Sequence, residues 1–132
     1  MNKVPFKGVI AYPITPFDQE EKVDISLFKK LVERLVISGS HGIAPLGSTG
    51  VLPYLTDEEK EAITEATIQQ VGGRVPILVG VSNLTTEKTI HHAKFAENAG
   101  ADAVMIIPMS YWKLTDDEIV AHYDAVASKI SI

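Results

Sequence analysis

The chain has 132 residues and a net charge of −5, with 45% apolar and 22% charged residues, a composition suited to one globular domain of ordinary size and not to a disordered segment. Its basic residues are scattered, which argues against a nucleic-acid surface, and with no cysteine there is neither a disulfide framework nor a thiolate zinc site. The opening stretch MNKVPFKGVIAYPITPF has no bilayer-spanning apolar run and no secretory-signal pattern, so no membrane partner is expected and the cytoplasm is the default location.

Four short apolar runs follow one another, at residues 8–14 (GVIAYPI), 42–46 (GIAPL), 75–81 (VPILVGV) and 103–108 (AVMIIP). They are mostly aliphatic and do not alternate with polar residues, the pattern of strands buried on both faces of a parallel sheet. Helices with marked ends lie between them. Asp24 suits the cap of a helix whose Leu27, Phe28, Leu31, Val32, Leu35 and Val36 recur at helical spacing, and Gly39 suits its end. TDEE at 56–59 is a capping box opening a helix that runs to VGG at 71–73. Thr85 or Thr86 caps a third helix ending near Gly100, and TDDE at 115–118 is a second capping box.

The helix-start threonines 56, 85 and 115 give a repeat of roughly thirty residues per strand-helix unit. The fold class is therefore α/β, four consecutive βα units over residues 1–132 with no linker. Two architectures use such units, the open doubly wound sheet and the eight-unit barrel. In both, ligands sit at the C-terminal ends of the strands, so the tips TPFD, GSTG, SNLTT and PMSYWKLT are the candidate site segments.

The richest tip is Gly47-Ser48-Thr49-Gly50. Glycines allow positive φ and close backbone approach, successive amides can form an anion nest, and the two hydroxyls add donors. It is not a P-loop, since the phosphate lysine is missing and VLPYL separates the loop from its helix. The plain alternative is a glycine turn with solvated hydroxyls.

GVIAYPITPFD at the first strand, GSTGVLPYLTDEE at the second, VPILVGVSNLTTEKTI at the third, AENAGADAVMIIP at the fourth and VAHYDAVASKISI at the close resemble, in order and along the whole chain, the N-terminal half of the dihydrodipicolinate synthase / N-acetylneuraminate lyase family. The resemblance implies the first half of a (β/α)₈ TIM barrel, with the C-terminal half absent. It implies Schiff-base lyase, aldolase or dehydratase chemistry on pyruvate or another 2-keto acid; no cofactor is expected, and since no residue spacing suggests zinc, no metal is expected either. It makes Gly47, Ser48, Thr49 and Gly50 the carboxylate-binding loop. It also implies an oligomer, because the family tyrosine after strand four reaches a neighbouring subunit's site; Tyr111 takes that proton-relay role here only through a shifted loop. The family's Schiff-base lysine lies on strand six and its YN-x-P tyrosine at the end of strand five, both past this chain. The isolated chain is thus expected to be inactive and to pair with another copy or with the other half.

The sequence departs from the family pattern at three tips. Val51 stands where the loop usually continues with Glu, Ser82-Asn83-Leu84 where it usually has Gly-Ala-Asn, and PMSYW where it has Pro-Tyr-Tyr. Lys113 is the one lysine at a strand tip and is expected to be a solvated loop residue. His91 and His92 are adjacent on a helix and are not expected to converge on one ligand. His41 falls at the wrong end of its strand, His122 on the fourth helix, and Asp18 in a charged surface loop. Tyr12, Tyr54 and Trp112 read as packing residues. Outside catalysis, the alternatives are a non-catalytic half barrel that self-associates and a small anion-binding α/β domain.

Overall fold

A computed structural model of the chain describes residues 6–132; residues 1–5, part of the N-terminal stretch read above for a targeting signal, lie outside the described residues. Strands and helices alternate: β1 (Ile10–Ala11), α1 (Ile25–Ile37), β2 (Gly42–Ile43), α2 (Asp57–Val71), β3 (Leu78–Gly80), α3 (Thr86–Ala99), β4 (Ala103–Met105) and α4 (Asp116–Ala127). A 3-10 turn, Leu52–Tyr54, joins the β2 tip to α2. Among the described residues no helix is long and apolar enough to cross a membrane.

The helix starts follow the local chemistry of the sequence. The Asp24 carboxylate accepts from the Leu27 amide at 2.8 Å. The Glu59 amide donates to Thr56 Oγ1 at 3.2 Å, and the Thr56 amide donates to Glu59 Oε2 at 2.8 Å, so two otherwise unpaired donors are satisfied reciprocally. Thr115 and Glu118 repeat the device on α4. Of the two threonines before α3, it is Thr85 that caps, accepting from the Lys88 amide. Helices α2 and α3 stop at Gly72 and Gly100, both in the left-handed region.

The strands are shorter than the apolar runs that announce them. Each run contains a proline (Pro13, Pro45, Pro76 or Pro108), and a proline has no amide hydrogen for the ladder. Pairing continues as single bonds beyond the regular strands: the Ile43 amide donates to the Pro76 carbonyl at 3.0 Å and the Gly80 amide to the Pro45 carbonyl at 3.0 Å. β1 pairs β2 in parallel, with Ile10 opposite Gly42, and β3 pairs β4 in parallel, with Leu78 opposite Ala103. A parallel bridge between Ile43 and Ile77 joins the two pairs, so the spatial order is 1-2-3-4.

α1 packs on α2, α2 on α3 and α3 on α4, one continuous helix layer as in an arc of an eight-unit barrel. The core lies between that layer and the sheet and is built from Phe28, Val32, Ile43, Ile63, Val79 and Val126 among others. The burial on both faces that the apolar runs suggest is met only in part, as a half barrel with an open inner face requires. β2 is fully buried, but β1 and β4 are only half-buried, because helices back one face of the sheet and no described element backs the other. The alternation in β3 shows it: Ile77, Val79 and Val81 are at most 3% exposed and belong to the core, while Leu78 between them is half-buried.

Two ion pairs tie the helices together. Arg74 grips Glu33 of α1 from beyond the end of α2, and the Gln70 amide donates to the same carboxylate. The guanidinium, with the amide helping, holds the Glu33 carboxyl at about 2, down from 4.5. Asp57, the first residue of α2, accepts from Lys88 Nζ at 2.8 Å and lies 3.0 Å from His92 Nε2. Those hydrogen bonds, Lys88's foremost, hold its carboxyl far below the usual range.

Candidate functional site

A cavity of about 500 Å³ opens at the C-terminal ends of the strands. The loop after β2 forms one side of it with Gly47, Ser48 and Thr49; Tyr12 from the β1 tip, Ser82 from the β3 tip, Met105 at the end of β4 and Ile107 just beyond it form the rest with the 3-10 turn. Four successive tips of a parallel sheet thus converge on one space, as the βα order dictates.

Within the loop the Gly50 amide donates to the Gly47 carbonyl at 3.0 Å and the Val51 amide to the Ser48 carbonyl at 3.1 Å, two overlapping turns. Thr15 Oγ1, buried, donates to the Gly50 carbonyl at 2.7 Å and pins the loop's exit to the segment after β1. Ser48 and Thr49 are exposed at the loop's crest. Among the described residues, neither their amides nor their hydroxyls donate a hydrogen bond within the chain. Four donors therefore remain available to a ligand.

The backbone solution differs from the one the sequence suggests. Positive φ falls not on Gly47 or Gly50 but on their neighbours, Leu46 at 60° and Val51 at 51°, conformations that cost a branched residue such as Val51 of order 1–3 kcal/mol. The glycines serve close approach instead: a β-carbon on Gly50 would lie 3.1 Å from the Leu46 amide nitrogen. Across the sheet, a β-carbon on Gly80 would overlap the Leu46 carbonyl, so β3 must be bare where the strained Leu46 folds over it.

The other expected positions separate clearly. Tyr12 and Tyr54 are 44% and 86% exposed and line the cavity, and Trp112 is 77% exposed; none is a buried packing residue. Tyr111 is 87% exposed, stacked edge-on with Trp112 at 5.0 Å between ring centres, and it does not line this chain's cavity. Lys113 is exposed, and among the described residues no lysine lines the cavity. Asp18 closes a surface turn, accepting from the Glu20 and Lys22 amides. His41 accepts from the Val9 amide at 3.0 Å through Nδ1, at the N-terminal end of the sheet. His122 meets Thr86 Oγ1 at 2.9 Å. His91 and His92, expected to diverge, both come close to Glu61 on the neighbouring helix, because the third group lies on α2 and their rings are long enough to meet it there.

Thr15 and Ser82 open the tips TPFD and SNLTT that the sequence marks as candidate segments, but the sequence assigns neither an individual role. Ser82, 4% exposed, accepts from the Ile107 amide at 2.8 Å and ties the β3 tip to the β4 tip. Their one sequence signal is position, a hydroxyl directly after an apolar run.

The Dihydrodipicolinate synthetase family model matches residues 5–131. A 4-hydroxy-tetrahydrodipicolinate synthase from Bartonella henselae is 37% identical over 126 residues, covering 96% of this chain and 43% of the relative. A crystal structure of a candidate dihydrodipicolinate synthetase from Pseudomonas aeruginosa superposes with a TM-score of 0.95 at 46% identity, over 97% of this chain and 44% of that one. YagE, a prophage protein of the dihydrodipicolinic acid synthase family from Escherichia coli K12 solved in complex with pyruvate, superposes with a TM-score of 0.90 at 31% identity, over 95% of this chain and 42% of that one. The chain spans less than half the length of each. A profile match over nearly every residue, joined to four parallel βα units in barrel order, shows that the chain belongs to the dihydrodipicolinate synthetase family and forms the N-terminal half of its TIM barrel.

Proposed function

We propose that this chain supplies the carboxylate-binding half of a lyase, aldolase or dehydratase that acts on pyruvate or another 2-keto acid through a lysine Schiff base. The observation that carries the reading is the pair Ser48–Thr49, whose amides and hydroxyls stand free at the mouth of a cavity walled by Leu46, Leu52, Met105 and Ile107. A carboxylate is acceptor-only and takes several such donors at once. Apolar walls around it strengthen those bonds by keeping water out. Among the proteins compared, the pyruvate-bound relative supports the same ligand class.

In this reading the loop fixes the substrate carboxylate and so aims the adjacent keto carbon at an amine. The amine adds to that carbon, water leaves, and the resulting iminium draws electrons from the neighbouring carbon–carbon bond. That amine belongs to the rest of the barrel, on the strand the family resemblance gives it, since no lysine among the described residues lines the cavity. Tyr111, exposed and braced by Trp112, is assigned to relay a proton in a neighbouring subunit's site. The chain alone binds and does not turn over.

Incubation with pyruvate and borohydride tests this. The mass of the isolated chain stays unchanged, and an adduct forms only when the remaining barrel units are present; an adduct on Lys113 would overturn the assignment. In a complete enzyme, Thr49→Val costs about 1.5–3 kcal/mol in keto-acid use by removing a donor to a charged group. Unchanged turnover and affinity would remove Thr49 from the site.

A second reading, a non-catalytic half barrel that self-associates, is favoured by one observation: Ile14, Phe17, Ile107 and Trp112 are 46–77% exposed on the strand-tip side. Apolar surface of this kind drives association at roughly 25 cal/mol per Å² buried. Sedimentation of the chain at micromolar concentration shows an oligomer in that case, and a monodisperse monomer counts against it.

A further inference from the structure

The seam between α2 and α3 carries a cluster that keto-acid chemistry does not use. Glu61 of α2 and His91 and His92 of α3 each offer one ligand atom, and the three atoms lie within 4.8 Å of one another. His91 Nε2 is 2.8 Å from Glu61 Oε1, and the two imidazoles meet edge-on with ring centres 5.1 Å apart. None of the three lines the strand-tip cavity. We propose that Glu61, His91 and His92 form a binding site for a first-row transition-metal dication of the zinc type, which staples α2 to α3.

The donor set selects the ion. Two imidazole nitrogens and one carboxylate oxygen suit zinc, cobalt or nickel, whereas calcium and magnesium take oxygen ligands. Metal–ligand bonds of about 2.0–2.2 Å place the donors of a tetrahedral site roughly 3.3 Å apart, with water as the fourth ligand. The His91–Glu61 pair is already inside that spacing.

The remaining closure falls on side chains that can move. His91 and Glu61 side chains are 60% and 30% exposed, while His92, 5% exposed, is the fixed anchor. Behind it, Asp57 lies 3.0 Å from His92 Nε2; a carboxylate on one ring nitrogen fixes the ring's orientation and tautomer and leaves the other, Nδ1, for the ion.

The local charges sharpen the selectivity. Lys88 at 2.8 Å and Lys60 at 3.7 Å already engage Asp57, which also meets His92, so Glu61 is the carboxylate left to ligate the ion. Two lysines against two acids give no general pull on cations, so affinity has to come from the nitrogen donors.

The test is a titration of the chelator-stripped chain with Zn²⁺ by calorimetry and with Co²⁺ by visible absorption. We expect saturable binding of about one ion per chain and a raised thermal midpoint with Zn²⁺. His91→Ala, at an exposed position that the fold does not need, weakens binding by about tenfold or more, and Glu61→Gln does likewise. His122→Ala, outside the cluster, leaves it unchanged. Absence of saturable Zn²⁺ and Co²⁺ binding, equal affinity in His91→Ala, or preferential binding of Mg²⁺ or Ca²⁺ would overturn the proposal.

Discussion

On the helix-backed side of the sheet Phe28, Val32, Ile43, Val79 and Val126 are each at most 1% exposed, while on the strand-tip side Ile14, Ile107, Trp112 and Tyr111 run from 53% to 87% exposed. The two sides are made from the same aliphatic and aromatic residue types. They differ in what covers them: one is closed by helices from the chain's own sequence, each started by its own cap, and the other is left for something else to meet. The candidate site lies on the second side, where polar donors and apolar walls occur together.

The largest effects break the closed side. Phe28→Ala opens a cavity under α1 and destabilises the chain by about 3–5 kcal/mol, read by denaturant unfolding. A loss below about 1 kcal/mol would mean that the helix layer is not packed as described. Thr56→Ala removes one half of a capping box at the start of α2 and costs about 1 kcal/mol. If Thr56→Ser fails to restore most of that loss, the hydroxyl is not the capping group.

A smaller effect depends on pH. Arg74 holds the folded-state Glu33 carboxyl at about 2 against an ordinary 4.5, so in acid the unfolded chain binds the proton more readily. The contribution is therefore fully present above pH 4.5 and is lost as pH falls from there through about 2. The pair is partly exposed, 42% and 37% for its side chains, which screens it and keeps the effect modest. Glu33→Gln should flatten this part of the acid limb and leave the rest of the profile in place; an unchanged limb would remove the pair from the stability balance.

The smallest effect belongs to the open side. Ile14→Ser should change the chain's own stability by no more than about 0.5 kcal/mol, yet weaken any association that covers that surface. A large loss of stability in a monomer would show that Ile14 is part of a closed core and collapse the contrast between the two sides.

How much of this was legible depends on how local each signal is. Asp24, Thr56, Thr85 and Thr115 act within three residues along the chain, so the sequence carries helix starts and strand order directly. The Ser48–Thr49 crest was visible because two glycines frame two hydroxyls after an apolar run. Thr15 closing on Gly50, Leu46 folding over Gly80, and Glu61 meeting two histidines each join residues 30 or more apart in the chain. No spacing rule along one element can show such meetings. The apolar runs alone do not show the one-sided burial of β1 and β4, since an aliphatic run looks the same whether both faces or one are covered by the chain itself; the open face follows from having four units of an eight-unit barrel.

The proposal stands or falls on whether the loop of Gly47, Ser48, Thr49 and Gly50 receives a 2-keto-acid carboxylate. The most direct measurement is a pyruvate titration of isotopically labelled chain followed by amide NMR. Saturable shifts centred on the Ser48 and Thr49 amides are expected, reduced in Thr49→Val and absent with a ligand that lacks the carboxylate. Shifts confined to other parts of the chain, or none at millimolar pyruvate in the chain and in its assembled barrel alike, would contradict it.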